Sequence, residues 1–521
     1  MQQRFSKFAV MNIYTASEMK RLEALAMDYG GLRPMDLMER AANELFNEIR
    51  CIKDVNTPVK VFAGPHNNGG DALAVSRLLS KEGYDVEVFL FNTSGHMSEE
   101  CATQRDLLIT TCTEVAFHEI QAKFDLPPLS QNDLVIDGLF GIGLNAPLPG
   151  GYALLVKYIN ASQATIVSID IPSGMMCEDN TATFHSQIIR ADYTLSLQGV
   201  KPAFLMRDCQ PYLGKCKILD IGIESLGVPR LATLYTLSTP QQVKPLLKYR
   251  DPFGNKGTFG HGLLIAGSYG MAGAAVIAAQ AAMKSGMGKL TVHTPSVNNT
   301  ILQTSVPQAI IHNDEDSMAF TSPEVSADYQ AVAIGPGLGT QAQTATAMMN
   351  QMSHSTTPLV IDADALNILA EHKGWLQQIP KNSILTPHPK EFERLFGATE
   401  NDFQQLNKAR EEARSLQIYL ILKNHFTAIC CPNGHIHFNT TGNSGMATAG
   451  TGDALTGILL SLLAQGYDPE SACRLGCYLH GSAGDLAADK LTEEGMTVMD
   501  LVNEIPYAIK ELKAQNIQSI L

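Results

Sequence analysis

Short apolar runs alternate with helical stretches along most of the chain, and many of these runs end in loops rich in glycine, asparagine or proline. A strand apolar on both faces belongs in a sheet covered on both sides. Helices between such strands supply the cover and make the strands parallel. The alternation therefore demands an α/β fold of three-layer αβα domains. Val59 to Ala63, the helical stretch Ala72 to Glu82 and Val86 to Phe91 read as a βαβ unit, with further strands at Leu134–Asp137, Thr165–Asp170, Tyr193–Leu197 and Cys216–Ile221. Ser17 to Arg50 reads as two helices, with Ser17 capping the first. The pattern lapses around Gly227 to Pro245, and Tyr249 to Gly262 is rich in Gly, Pro and Asn. A second cycle follows, with strands at Gly262–Ala266, Lys289–His293, Ala331–Ile334, Leu359–Asp362, Ser383–Thr386 and Tyr419–Leu422. Thr427–Cys431 and His435–Phe438 read as a hairpin turned by Pro432-Asn433-Gly434. Two domains are expected, residues 1–235 and 236–521.

Composition bounds what such a chain does. Its 521 residues are 45% apolar and 17% charged, enough to bury large cores. The net charge is −14, without a basic cluster, so no nucleic-acid partner is expected. No apolar stretch reaches the length of a transmembrane helix, so no membrane partner is expected either. Met1 to Val10 lacks an apolar signal core, and Met11 is an alternative start. Ten cysteines form no C-x-x-C pair. Cys473 and Cys477, four apart, read as small buried apolar side chains. Reduced thiols, a cytoplasmic setting and a homo-oligomer are the expectations.

Asn439 to Gly457 reads N-T-T-G-N-S-G-M-A-T-A-G-T-G-D-A-L-T-G and runs into the helical stretch Ala454 to Ala464. A glycine loop feeding a helix start aims several unpaired N–H groups one way, an anion site reinforced by the helix dipole. Gly450, Thr451 and Gly452 form that loop, and Asp453 at its lip is a candidate base for a hydroxyl that attacks a phosphoryl group. This arrangement resembles the ribokinase-like superfamily. Gly267–Ala275, Gly335–Gly339 (G-P-G-L-G), Asp362–Asn367 (D-A-D-A-L-N) and Thr386–Glu391 (T-P-H-P-K-E) occur in the order found in NAD(P)H-hydrate dehydratases. The resemblance implies substrate contacts at Ala272, Gly337, His388 and Asp453, and nucleotide contacts at Lys423, Asn424, His425, Phe426, Thr427, Gly450, Thr451 and Gly452. It departs from the family at Asn424, where a glycine is usual. His435 and His437 alternate along a strand and read as structural.

In the first half, Asn67-Asn68-Gly69-Gly70-Asp71 lies between strand and helix, again a phosphate-suited turn. D-G-L-F-G-I-G-L at Asp137–Leu144 and S-I-D-I-P-S-G at Ser168–Gly174 stand at strand ends, where parallel sheets bind ligands. The triple resembles the NAD(P)H-hydrate epimerase domain of YjeF type, and His66 stands where that family often has glycine. The resemblance implies a potassium ion at Asn68, Asp137 and Ser173. It places substrate at Asn67–Asp71, at Gly141, Ile142, Gly143, Leu144, Asn145, Ala146 and Pro147, and at Asp170. The residue types suit a hard cation, and by themselves suit Mg²⁺ equally.

A bifunctional repair enzyme is therefore implied, acting on the hydrated cofactors NADHX and NADPHX. Asp170 is the candidate acid/base group for epimerisation. Asp453 is the base of an ADP- or ATP-dependent dehydration, with Mg²⁺ entering on the nucleotide. A vitamin or sugar kinase with an accessory dinucleotide-binding domain is the alternative enzyme. A dinucleotide sensor without turnover is the non-enzymatic one.

Overall fold

The computed structural model describes residues 12–515 apart from 94, 184–186, 230 and 325–328. The question of a start at Met1 or Met11 lies outside the described residues. The chain divides into two units, one of residues 1–233 with Asn401–Phe403, the other of Leu234–Glu400 with Gln404–Leu521.

The first unit carries seven strands: β1 Val59–Ala63, β2 Val86–Phe91, β3 Ala116–Ile120, β4 Leu134–Gly138, β5 Thr165–Ile169, β6 Tyr193–Leu197 and β7 Lys215–Leu219. Their order is β3-β2-β1-β4-β5-β6-β7, every pairing parallel. The order reverses between β1 and β4, which opens a crevice at the carboxyl ends of those two strands. Central strands are buried on both faces, with Val61, Phe62, Val135 and Ile136 at 0% exposure. One face packs on Leu73, Leu79, Leu45 and Ile49. The other packs on Leu155, Val156 and Ile159.

The second unit carries β8 Tyr235–Leu237, β9 His261–Ile265, β10 Lys289–Thr294, β11 Ile310–Asn313, β12 Ala331–Ile334, β13 Leu359–Ile361, β14 Ile384–Leu385, β15 Tyr419–Leu422, β16 Thr427–Cys430 and β17 Ile436–Asn439. The order is β11-β10-β9-β12-β13-β14-β15-β16-β17-β8, with β16 antiparallel to both neighbours. Here the switch point lies between β9 and β12. The helix Ala272–Lys284 lies directly on the helix Thr451–Ala464. A Cβ on Gly457 would come within 2.1 Å of the Ala278 carbonyl oxygen, so the glycine is what lets the two backbones touch.

Four sequence expectations are corrected. Thr15, not Ser17, caps the first helix, because the Thr15 side chain accepts from the Glu18 amide while Glu18 reaches back to the Thr15 N–H. The helix expected from Ala72 begins at Asn67, so the N-N-G-G-D segment is its first turn rather than a loop. The helix expected from Ala454 begins at Thr451. A strand, β8, lies in the segment read as a lapse, where it pairs in parallel with β17. Among the described residues no helix is long and apolar enough to cross a membrane.

Candidate functional site

In the first unit the segment expected to bind substrate is built from close backbone contact. A Cβ on Gly69 would lie 1.8 Å from the Gly64 carbonyl oxygen, so only glycine lets the helix start settle against the end of β1. Gly141 and Asn68 are neighbours, since a Cβ on Gly141 would lie 3.2 Å from that of Asn68. The loop from Gly141 through Ile142, Gly143, Leu144, Asn145 and Ala146 to Pro147 therefore runs beside the helix start, with the Leu144 amide bonded to the Gly141 carbonyl at 3.2 Å.

The three residues implied as cation ligands converge. Asp137, at the end of β4, is fully buried. Its Oδ1 accepts from Ser173 Oγ at 2.5 Å, and its Oδ2 accepts from Ser168 Oγ at 2.8 Å and the Ser173 amide at 2.9 Å. Asn68 Nδ2 donates to the Phe140 carbonyl at 3.0 Å, and Ser173 Oγ lies 3.3 Å from that oxygen. Burial pushes the Asp137 pKa up against these donors. The donors are hydroxyls and amides that bring no positive charge, and the atoms at hand are hard oxygens. The set fits a hard cation.

Asp170 follows β5 with φ +62°, a left-handed conformation rare for a residue with a side chain. This turn delivers its carboxylate to Lys201, whose Nζ donates to Asp170 Oδ1 at 2.5 Å, Ser196 Oγ at 2.7 Å and the Leu197 carbonyl at 3.0 Å. Lys201 is completely buried. Two more acids feel this pair. Glu23, on the first helix, has its pKa pushed up to about 7, by burial first and then by the Asp170 charge. Asp71 is raised well above the carboxylate range by burial, with Asp170 and Glu23 adding to it. Lys201 and Glu23 escaped the sequence reading.

In the second unit Gly450 has φ +91° and caps the helix Thr451–Ala464. Thr451, Gly452 and Asp453 form its first turn, whose N–H groups have no carbonyl of their own helix to bond. Lys423 and Asp362 meet that turn. A Cβ on Gly452 would lie 3.3 Å from Lys423 Nζ and 3.5 Å from Asp362 Oδ2. Lys423 Nζ donates to Asp362 Oδ1 at 3.0 Å, and Thr456 Oγ1 donates to Oδ2 at 2.8 Å. Asp362 is held below the usual carboxylate range despite its burial, with the nearby ammonium the leading cause. Asp453 is driven the other way, up to about 7, by burial and then by the Asp362 charge. Two acids with opposed pKa shifts in one place are the arrangement expected of acid/base chemistry. Asp362 was visible in its motif but received no role from it.

Gly337, with φ +59°, presses on the start of the helix Ala272–Lys284, where a Cβ would meet the Met271 carbonyl oxygen at 2.9 Å, so Ala272 and Gly337 are neighbours. His388 is the N-cap of the helix Pro389–Phe396, its Nδ1 accepting from the Lys390 amide at 3.1 Å. Burial lowers its pKa, and the Lys423 charge adds to that. The bend Asn424–Phe426 leads from Lys423 to Thr427, which opens β16 and donates to the Asn424 carbonyl at 3.2 Å.

Comparison with known proteins bears on both units. A model of the YjeF-related protein N-terminus matches residues 34–203, and one of NAD(P)H-hydrate dehydratase matches residues 262–507. The bifunctional NAD(P)H-hydrate repair enzyme Nnr of Moorella thermoacetica is 32% identical to this chain over 97% of it and 98% of its own length. The chain belongs to the bifunctional NAD(P)H-hydrate repair enzyme family. The Escherichia coli member is 31% identical over 95% of this chain and 93% of its own. Among solved structures, the ADP/ATP-dependent NAD(P)H-hydrate dehydratase of Bacillus subtilis, co-crystallised with ATP/Mg²⁺, is 33% identical, with TM-score 0.47, over 53% of this chain and 98% of that one. Family membership fixes the two-part α/β architecture, a Rossmann-like unit followed by a ribokinase-like one, and makes the chain an enzyme.

Proposed function

We propose that the chain repairs hydrated NADH and NADPH with one catalyst in each unit. The first interconverts the two hands of the hydrate. The second dehydrates the S form with ADP or ATP, releasing AMP or ADP and phosphate. One observation carries this reading: each unit holds its own partly buried acid cluster near a glycine-rich helix start, Asp170 with Lys201 and Glu23 in one, Asp453 with Asp362 and Lys423 in the other.

The hydrated ring bears a hydroxyl on the carbon next to its nitrogen, so the nitrogen lone pair can expel it. Asp170 moves the proton as the hydroxyl leaves and returns on either face, an acid/base contribution of roughly 10²–10⁴-fold. Lys201 holds Asp170 in place and keeps its charge compensated. Asn67 to Asp71, of which Asp71 feels the Asp170 charge, and Gly141 to Pro147 would line the substrate. Asn68, Asp137 and Ser173 would hold the potassium ion, which would supply a fixed positive charge beside the substrate loop.

In the second unit Asp453 takes the hydroxyl proton as the oxygen attacks the terminal phosphorus of the nucleotide. The N–H groups of Thr451 and Gly452 stabilise the charge on the moving phosphoryl group. The ring nitrogen then expels phosphate, and loss of a proton from the neighbouring carbon restores the dihydronicotinamide. Lys423 and the segment Asn424–Thr427 face the nucleotide, while Ala272, Gly337 and His388 face the hydrate. Mg²⁺ would be held by the nucleotide phosphates and would neutralise their charge.

All ten cysteines are free thiols, which supports a reducing, cytoplasmic setting. A homo-oligomer is part of the same reading and is checked by light scattering. The deciding experiment incubates the protein with racemic hydrated NADH and ADP or ATP. Reduced cofactor should reappear at its absorbance band. Accumulation of a phosphorylated product instead would favour a small-molecule kinase.

A further inference from the structure

One histidine of the second unit is built like a metal ligand. His293, near the end of β10, is 2% exposed. Its Nε2 stands 2.9 Å from Asp314 Oδ2. Asp314 is in turn saturated by donors: the Thr321 hydroxyl at 2.6 Å and the amides of Asp316, Thr321 and Ser322 at 2.9–3.1 Å. A carboxylate so held is ionised and accepts the Nε2 proton, leaving the lone pair of the neutral ring on Nδ1. That Nδ1 is buried and has no hydrogen-bond partner. A carboxylate behind a histidine, fixing its tautomer and turning its free nitrogen outward, is the supporting shell that metal-binding histidines use.

Two further donors stand beside it. His312, on the edge strand β11, lies with its ring centre 4.8 Å from that of His293 and is half exposed. Glu324 pairs with His312 Nδ1. Its backbone is pinned from both sides by the buried Gln351, whose Oε1 accepts from the Glu324 amide at 2.7 Å and whose Nε2 donates to the Glu324 carbonyl at 2.9 Å. One ligand atom from each of His293, His312 and Glu324 fits within 4.8 Å of the others. Ligands of a tetrahedral zinc stand about 3.3 Å apart, so the half-exposed His312 would part slightly from Glu324 and close on His293 as the ion enters.

We propose that His293, His312 and Glu324 form a binding site for a divalent transition-metal ion of the Zn²⁺ class, with Asp314 orienting His293 and solvent completing the coordination. Two nitrogens and one carboxylate are a borderline donor set that prefers Zn²⁺ to Mg²⁺ or Ca²⁺. The ion would tie β10 and β11 to the segment Asp314–Glu324. That segment already receives the Tyr269 amide on the Met318 carbonyl at 2.9 Å, three residues before Ala272, so the ion would brace the rim of the proposed hydrate site. A second cluster, Cys431, His437 and Glu470, lacks this readiness. Both ring nitrogens of His437 are engaged, by Thr236 and Glu470, and the Arg474 guanidinium stands 3.8 Å from Glu470.

The test is equilibrium dialysis of the nucleotide-free full-length protein against Zn²⁺, with bound metal counted by mass spectrometry and Co²⁺ absorption as a second readout. Wild type should bind one ion more per chain than the double variant His312→Gln, Glu324→Gln, in which the half-exposed His312 and the largely buried Glu324 are replaced by neutral side chains of similar size, with the urea midpoint checked to show that the variant is folded. Asp314→Asn should weaken binding about 10–100-fold, the range for losing a supporting carboxylate. His437→Gln should leave the count unchanged. Equal stoichiometry in wild type and the double variant, or no ion on wild type, would overturn the site.

Discussion

Lys201 Nζ stands 2.5 Å from Asp170 Oδ1, the lysine completely buried and the aspartate nearly so. Each is the other's counter-charge in a largely desolvated place. Asp170→Asn keeps the shape, loses proton transfer and leaves the Lys201 ammonium without its counter-charge, so epimerisation should fall roughly 10²-fold or more, with some loss of first-unit stability, while dehydration continues. Lys201→Met leaves the Asp170 charge buried and unpaired. That should cost about 3–5 kcal/mol in the first unit, read as a lower urea midpoint, with the second unit's turnover intact. Chiral chromatography of the two hydrates follows the first effect. Unchanged interconversion in Asp170→Asn would move the acid/base role to another residue, with Glu23 the next candidate.

Two glycines of the proposed epimerase site give opposite predictions. Gly69→Ala drives a methyl into the Gly64 carbonyl oxygen, 1.8 Å away, and must push the helix start off the end of β1. Gly143 has nothing within 4 Å of its would-be Cβ. Gly69→Ala should therefore lose epimerisation and stability together, by 1–3 kcal/mol or about that for an overpacked contact. Gly143→Ala should fold like wild type. Equal midpoints in denaturant would contradict this reading of the segment.

The division of the chain near residue 234 predicts that the halves act as separate catalysts. A fragment beginning at Leu234 keeps β8, which borders β17 and is the sheet's last strand. Supplied with racemic hydrate, it should convert only one hand, leaving about half unreacted; adding the first half should release the remainder. Complete conversion by the fragment alone, faster than spontaneous epimerisation, would remove the assigned division of labour. A cut at 235/236 would pass through β8 and should give a less stable fragment.

What the sequence disclosed follows from how locally each feature is encoded. Asp137, Asp170 and Asp453 sit in glycine-rich segments beside strand ends or a helix start, so their neighbours along the chain announce them. Lys201 does not: its partner is 31 residues away, and a lysine in V-K-P carries no local pattern. Glu23 is hidden in the same way, on a helix that reads as ordinary and amphipathic. The strands missed are edge strands. β3 and β11 have one free side each and are largely uncovered, so A-F-H-E-I and I-I-H-N never show the continuous apolar run that marked β1 or β9. β8 is three residues long, and only its pairing with β17 makes it a strand.

Asp453 gives the sharpest test because its perturbation predicts two signs at once. Its pKa is raised from 3.8 to about 7 by burial and by the neighbouring Asp362. A base must be ionised, so kcat/KM for dehydration should climb about tenfold per pH unit below 7 and level off above it. Asp453→Asn should abolish that limb and lower turnover about 10²–10⁴-fold. Stability runs the other way. A carboxyl whose folded pKa exceeds its unfolded one favours the fold while protonated, and that advantage drains away as pH rises from about 4 through 7. Above pH 7 the wild type holds a desolvated charge beside the negative Asp362, so Asp453→Asn should be the more stable protein there, by up to about 4 kcal/mol before solvent screening reduces it. Towards pH 4 the two proteins should converge. Nucleotide binding should persist, since the phosphate donors are backbone N–H groups, and removing a negative charge should tighten it slightly. An aspartate that only caps its helix predicts none of this, because asparagine caps about as well. Turnover within about threefold of wild type, with a flat pH difference in melting temperature, would reject Asp453 as the base.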